Sequence, residues 1–207
     1  MKRHQYVLDD RCRSKRMAST DALAGIELTD DEYRVVQSLF RNKYRAYDSA
    51  GELVLQGKQK MLKMKEEFPF VGPDGEPVFT VAAGGILDVA GNYTLTDDTT
   101  GEPVVVLDEN YTLLTDRWKL RDPDTESVVA EITSKSTLVE LLRHLSDVFS
   151  FVPHSYEITD ADGDHVGTID GQFSLKDEYV VRIDDASDVP REAIVAAAMV
   201  IDAIEEN

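Results

Sequence analysis

Seven cations crowd two short stretches of the chain: Arg41, Lys43 and Arg45, then Lys58, Lys60, Lys63 and Lys65. On a β-strand alternate residues share a face. Lys58 and Lys60 therefore belong to one strand face, with Lys63 and Lys65 following at the same period. Arg41, Lys43 and Arg45 lie on the strand expected to pair with it, where cross-strand neighbours stand close enough to act together. Seven cations on two adjacent strands have the charge to hold a phosphate. The plainer alternative is that each pairs with one of the many surface acids, a contact worth at most about 1 kcal/mol. Both readings stand at this stage.

Other chemistry is sparse. The chain has no Gly-x-Ser-x-Gly elbow, no His-Glu-x-x-His and no Gly-x-x-x-x-Gly-Lys loop, and Gly84, Gly85 and Gly91 are wrongly spaced for a dinucleotide turn. Asp160-Ala161-Asp162-Gly163-Asp164 begins like a calcium loop. However, His165 and Gly171 occupy its sixth and twelfth positions, where Gly and Glu are needed, so a polar hairpin turn is expected. His4, His144, His154 and His165 show no ligand spacing to one another or to the single cysteine, Cys12, which is expected to be an incidental thiol. No catalytic residue, metal or cofactor is expected, and the chain reads as a non-enzyme.

Composition narrows the setting. The formal charge of -18 comes from 40 acids against 22 bases, and such an imbalance governs solubility and non-specific binding more than fold. It argues against nucleic acid as a partner and, with few Lys and many Asp in turns, suggests a salt-adapted surface. The charge is uneven. Residues 1–65 hold 14 bases and 9 acids, for +5, while residues 66–207 hold 8 and 31, for -23. A lone cysteine and a charged beginning point to a reducing cytosol. The longest apolar run, Ala193 to Ile201, is short of the roughly 20 residues that span a bilayer, so no transmembrane segment is expected.

The elements that must position these groups read mainly as β. Residues 1–25 form a basic arm with little hydrophobic periodicity. Beyond it, Asp-led turns open at Asp48, Asp74, Asp97, Asp122 and Asp160, mostly with Gly to accept positive φ, and apolar alternation flanks them: Tyr44 and Ala46, Leu53 and Leu55, Tyr93 and Leu95, Trp118 and Leu120. Strands so numerous need a sandwich or closed barrel to remove their edges. Thr137 to Glu140 resembles a capping box, and Leu138, Leu141, Leu142 and Leu145 then predict a short helix near 138–148. Residues 33–40 fit helix or strand equally well. From Pro190 the chain is apolar on nearly every side to about residue 205, and such a helix must be buried all round. In an all-β domain that means threading the barrel.

The run from Val166-Gly167-Thr168-Ile169-Asp170-Gly171 through Lys176-Asp177-Glu178-Tyr179 to Ile183, followed by Ala196 to Asp202, resembles the C-terminal signature of the LURP-one-related family, kin to the tubby C-terminal domain and the phospholipid scramblases. Lys43-Tyr44-Arg45-Ala46-Tyr47-Asp48 with Gly51, Gly57-Lys58-Gln59-Lys60, and Ser155-Tyr156-Glu157-Ile158 with Asp162-Gly163 agree in order, so the similarity covers about 33–205. It implies a closed antiparallel barrel of about twelve strands around a central hydrophobic helix, makes 33–40 strand, and sets the barrel domain at 26–207. Relatives tend to carry a strand pair where residues 136–152 favour a helix. Tubby-like domains bind phosphoinositide head groups through basic residues on the barrel wall. The resemblance therefore implies a binding module for anionic phospholipid, cytoplasmic and peripheral at the membrane surface. The alternative is a regulatory scaffold recognising an acidic protein partner. Direct lipid scrambling is disfavoured because the apolar helix is needed inside.

Overall fold

The computed structural model describes residues 23, 25–38, 43–58, 60–62, 65–84, 92–112, 115–135, 155–172, 178–184 and 189–205. Period-two burial makes the wall. In β1 (Glu32–Ser38) Tyr33, Val35 and Gln37 are buried between more exposed neighbours, and in β2 (Lys43–Tyr47) Tyr44 and Ala46 are. The wall continues through β3 (Leu53–Lys58), β4 (Lys60–Leu62), β5 (Lys65–Val71), β6 (Pro77–Ala83) and β7 (Asn92–Asp97), the last of these buried at all but one of its six residues. It is completed by β8 (Pro103–Thr112), β9 (Thr115–Arg121), β10 (Val128–Ser134), β11 (Ser155–Asp160), β12 (His165–Gln172) and β13 (Glu178–Ile183).

Every pairing is antiparallel between sequence neighbours, with β1 also on β13 and β3 on β5. β3 and β4 are one strand broken at residue 59. Gln56↔Val71, Gly57↔Phe70, Lys60↔Glu67 and Leu62↔Lys65 all obey a single register against β5. The result is a closed up-and-down barrel of twelve strands, as expected, and closure leaves no sheet edge to aggregate. Residues 33–38 are strand, settling the helix-or-strand ambiguity there. The helix expected near 138–148 lies outside the described residues.

Inside runs α1 (Arg191–Glu205), in which Ala193 to Ile201 are at most 4% exposed. Its small residues Ala193, Ala196, Ala197 and Ala198 leave room for large inward side chains of the wall, among them Trp118, Phe68, Phe70, Phe79 and Tyr33. The helix is thus the core, as its all-round apolarity requires. Leu23 and Leu28 are buried with it, and the Leu28 N–H donates to Glu192 Oε1 at 2.7 Å, tying the chain before β1 to the first turn of the helix. The Arg191 guanidinium adds a bond to the Asp30 carbonyl at 2.6 Å and an ion pair with Asp31 at 3.0 Å.

In a meander the connections alternate between two ends. At one end lie the β2–β3, β5–β6, β7–β8, β9–β10 and β11–β12 turns together with the start of α1. Gly51, Gly75, Gly101 and Gly163 take positive φ there, as turn chemistry predicts. The 122–127 turn has no glycine, and Glu126 adopts φ 59° in its place. The opposite end receives the β1–β2 and β4–β5 connections and the end of α1.

Candidate anion-binding site

β2 is fixed from within. Tyr44 is 1% exposed, its hydroxyl accepts a bond from Gln37 Nε2 at 2.9 Å, and Ala46 is fully buried. Alternation then turns Lys43 and Arg45 outward, Arg45 exposed and Lys43 half-buried. The register decides what they meet. Lys43 stands opposite Ser38 on β1 and Lys58 on β3, and Arg45 opposite Val36 and Gln56. Neither has an acid beside it, and two lysines face one another directly. Like charges so placed are destabilising by roughly 0.2–1 kcal/mol, a cost that a bound anion would relieve.

The other cations of the wall are situated differently. Arg34 pairs with Glu178 (3.8 Å), Arg117 and Lys119 share Glu131 (both 3.5 Å), and Arg121 meets Asp108 (3.0 Å). Lys135 meets Glu157 (3.2 Å), Arg182 meets Glu32 and Asp170 (3.1 and 3.3 Å), and Arg191 meets Asp31. Among the cations whose side chains are described, Lys43 and Arg45 have no such partner. The cause again lies in the register, since Arg182 has Glu32 opposite it and Lys119 has both Asp108 and Glu131.

The remaining candidates divide. Lys58 extends the site across the β2–β3 ladder, as the expected strand pairing requires. Lys60 has Glu67 opposite it, so the register offers it an acid. The expectation that Lys63 and Lys65 continue the face of Lys58 and Lys60 along one strand is corrected for Lys65. β4 ends at Leu62, and Lys65 opens the returning strand β5, opposite Leu62. The basic residues therefore spread over a hairpin instead of running up one strand. Arg41 and Lys63 lie outside the described residues.

Among the described residues, the barrel interior is packed. The helix fills it, and a cleft between Tyr156, Tyr179 and Asp202 has a volume of about 10 Å³, enough for one water. The Tyr179 hydroxyl donates to Asp202, a carboxylate buried on the helix. The calcium-like run is a hairpin turn in which Asp160 Oδ1 accepts the N–H groups of Asp162 and Asp164 at 2.9 and 2.8 Å.

One polar cluster was not legible in the sequence. His165 at the start of β12 lies with Nδ1 2.5 Å from Glu157 Oε1 and Nε2 2.9 Å from Asp184 Oδ2. Hydrogen bonds to Asp184, then to Glu157, raise its pKa above the ordinary 6.5, and the bond to His165 is the main cause holding Glu157 below 4.5. Its partners are 8 and 19 residues away, joined only by the strand register. Because the two ring nitrogens point to different carboxylates, the cluster is a clamp across β11, β12 and the end of β13, unlike a metal site, whose ligands converge.

A family model described as LURP-one-related matches residues 53–202. A search of curated proteins finds no match. Among solved structures, an X-ray structure of an Arabidopsis thaliana protein superimposes with a TM-score of 0.53 at 9% identity, covering 91% of this chain and 98% of that one. At that identity the likeness carries the fold alone.

Proposed function

Because the chain belongs to the LURP-one-related family, we propose that it is a non-enzymatic binding module, cytoplasmic and peripheral, whose basic corner engages anionic phospholipid head groups at a membrane surface. The observation that carries this reading is the pair Lys43 and Arg45. Seven other cations, Arg34, Arg117, Lys119, Arg121, Lys135, Arg182 and Arg191, each lie against a carboxylate, whereas these two meet none, and Lys58 is the register partner of the first. If this corner were only a solvated face, an acid in register would relieve it, and the chain has 40 to draw on. Lys43 and Lys58 supply point charges, and Arg45 supplies a planar fork that suits a phosphate bidentately. An external site also agrees with an interior filled by α1. No helix among the described residues is long and apolar enough to cross a membrane.

Co-flotation of the protein with vesicles of phosphatidylcholine alone, and with added phosphatidylserine or a phosphoinositide, across a range of salt, tests the proposal. Retention on the anionic vesicles only, declining as salt screens the charges, is the expected result. Equal behaviour with both vesicle types removes the lipid and leaves an acidic protein partner as the ligand to seek.

A further inference from the structure

We propose that the barrel meets the anionic surface end-on, with the basic corner down and the end bearing the Asp-led turns pointing away; this rests on the proposed lipid reading. The meander topology sorts the charge. β2 and β5 begin, and β3 and β4 finish, at the same end, so Lys43, Lys58, Lys60 and Lys65 all fall near it although they are up to 22 residues apart in the chain. The five hairpin turns at the other end, residues 48–52, 72–76, 97–102, 122–127 and 160–164, hold 13 Asp and Glu and no Lys or Arg. Asp30, Asp31 and Asp184 add to that end, and the cation beside them, Arg191, is committed to Asp31.

The two ends act separately. A strand of seven residues at roughly 3.3 Å each is about 23 Å long, and at a tilt near 40° it still separates the ends by about 18 Å. The Debye length in physiological salt is about 8 Å. An anionic surface near the lysine-bearing corner therefore responds to the local charges, in which Lys43, Lys58, Lys60 and Lys65 outnumber Glu66 and Glu67 at the start of β5, and scarcely feels the acidic turns. Approach by the opposite end brings at least 13 carboxylates against like charge. Approach by the flat of the β2–β3 wall brings Asp48 and Glu52 to the surface together with Lys43, because these acids form the turn of the same hairpin. Only the end-on pose presents Lys43 and Lys58 without them.

Single labelling sites on that sector separate the poses. In a Cys12→Ser background, Ser38→Cys lies opposite Lys43 at the basic end, and Ala50→Cys lies exposed in the β2–β3 turn at the acidic end. Each would carry an environment-sensitive fluorophore and be titrated with phosphatidylserine-containing vesicles that include a lipid-bound quencher. Loss of intensity at position 38 with none at position 50 is the expected result. Equal loss at both positions, as in a wall-on pose, or loss at position 50 alone would overturn the orientation while leaving lipid binding intact. Failure of either labelled protein, and of the unlabelled chain, to float with these vesicles would overturn the lipid reading itself and the orientation with it.

Discussion

Lys43 and Arg45 show how much a single register decides. Their side-chain types announce only charge; whether that charge is spent on a neighbour depends on the residue across the ladder, and here Ser38, Val36 and Gln56 leave it unspent. His165 is the opposite case, spent twice over. Its folded pKa is raised, so the protonated ring is bound more strongly in the native state. The stability it adds is complete below about 6.5 and is lost as pH climbs through the higher folded value. Glu157, lowered below 4.5, adds stability above that value and loses it as pH falls. The clamp therefore contributes most in weakly acidic solution. Melting temperature against pH for the native chain minus that for His165→Ala should be positive near pH 6 and shrink toward pH 9, with the His165 titration seen directly by NMR. Gly167 carries a steric demand: an added Cβ would stand 2.0 Å from the Arg182 carbonyl oxygen. Gly167→Ala should cost about 3 kcal/mol, the upper end for overpacking, whereas Gly75→Ala, with open space but φ 87°, should cost about 1 kcal/mol. Urea denaturation of both checks the order.

At the scale of elements, the helix and the hairpins were legible because their signals are local. An unbroken apolar run can only be a buried helix, and Asp-led turns with glycine specify hairpins; both appear where the residues place them. The β4–β5 corner was misread for a local reason too. Lys58 and Lys60, then Lys63 and Lys65, each stand two residues apart as on a strand, while the reversal between Leu62 and Lys65 carries no Gly, Pro, Asn or Asp to announce it. The His165 clamp was invisible because its partners are brought together by pairing across β11, β12 and β13. The tie between Glu192 and the buried N–H of Leu28 was likewise hidden by a separation of 164 residues. Glu192→Ala leaves that N–H without an acceptor and should destabilise the protein by about 1–3 kcal/mol. Glu192→Gln, which retains an acceptor oxygen, should recover most of the loss in the same melt.

For the whole molecule, the central claim is that the location of charge, more than its total, governs binding. The net charge of -18 by itself would predict repulsion from any anionic surface. On the proposed reading, the gathering of lysines near one end and of acids in the turns of the other offsets that repulsion. Each cation close to an anionic bilayer is worth about 1 kcal/mol, so losing two should weaken binding about 30-fold. A control that changes total charge equally but removes cations already paired should weaken it little. The decisive measurement is the affinity for phosphatidylserine-containing vesicles, at fixed low salt, of the native chain, of Lys43→Gln/Arg45→Gln and of Arg34→Gln/Arg182→Gln. A loss of about 30-fold in the first variant with near-native affinity in the second is the predicted result. Equal losses in the two, or none in the first, would contradict it.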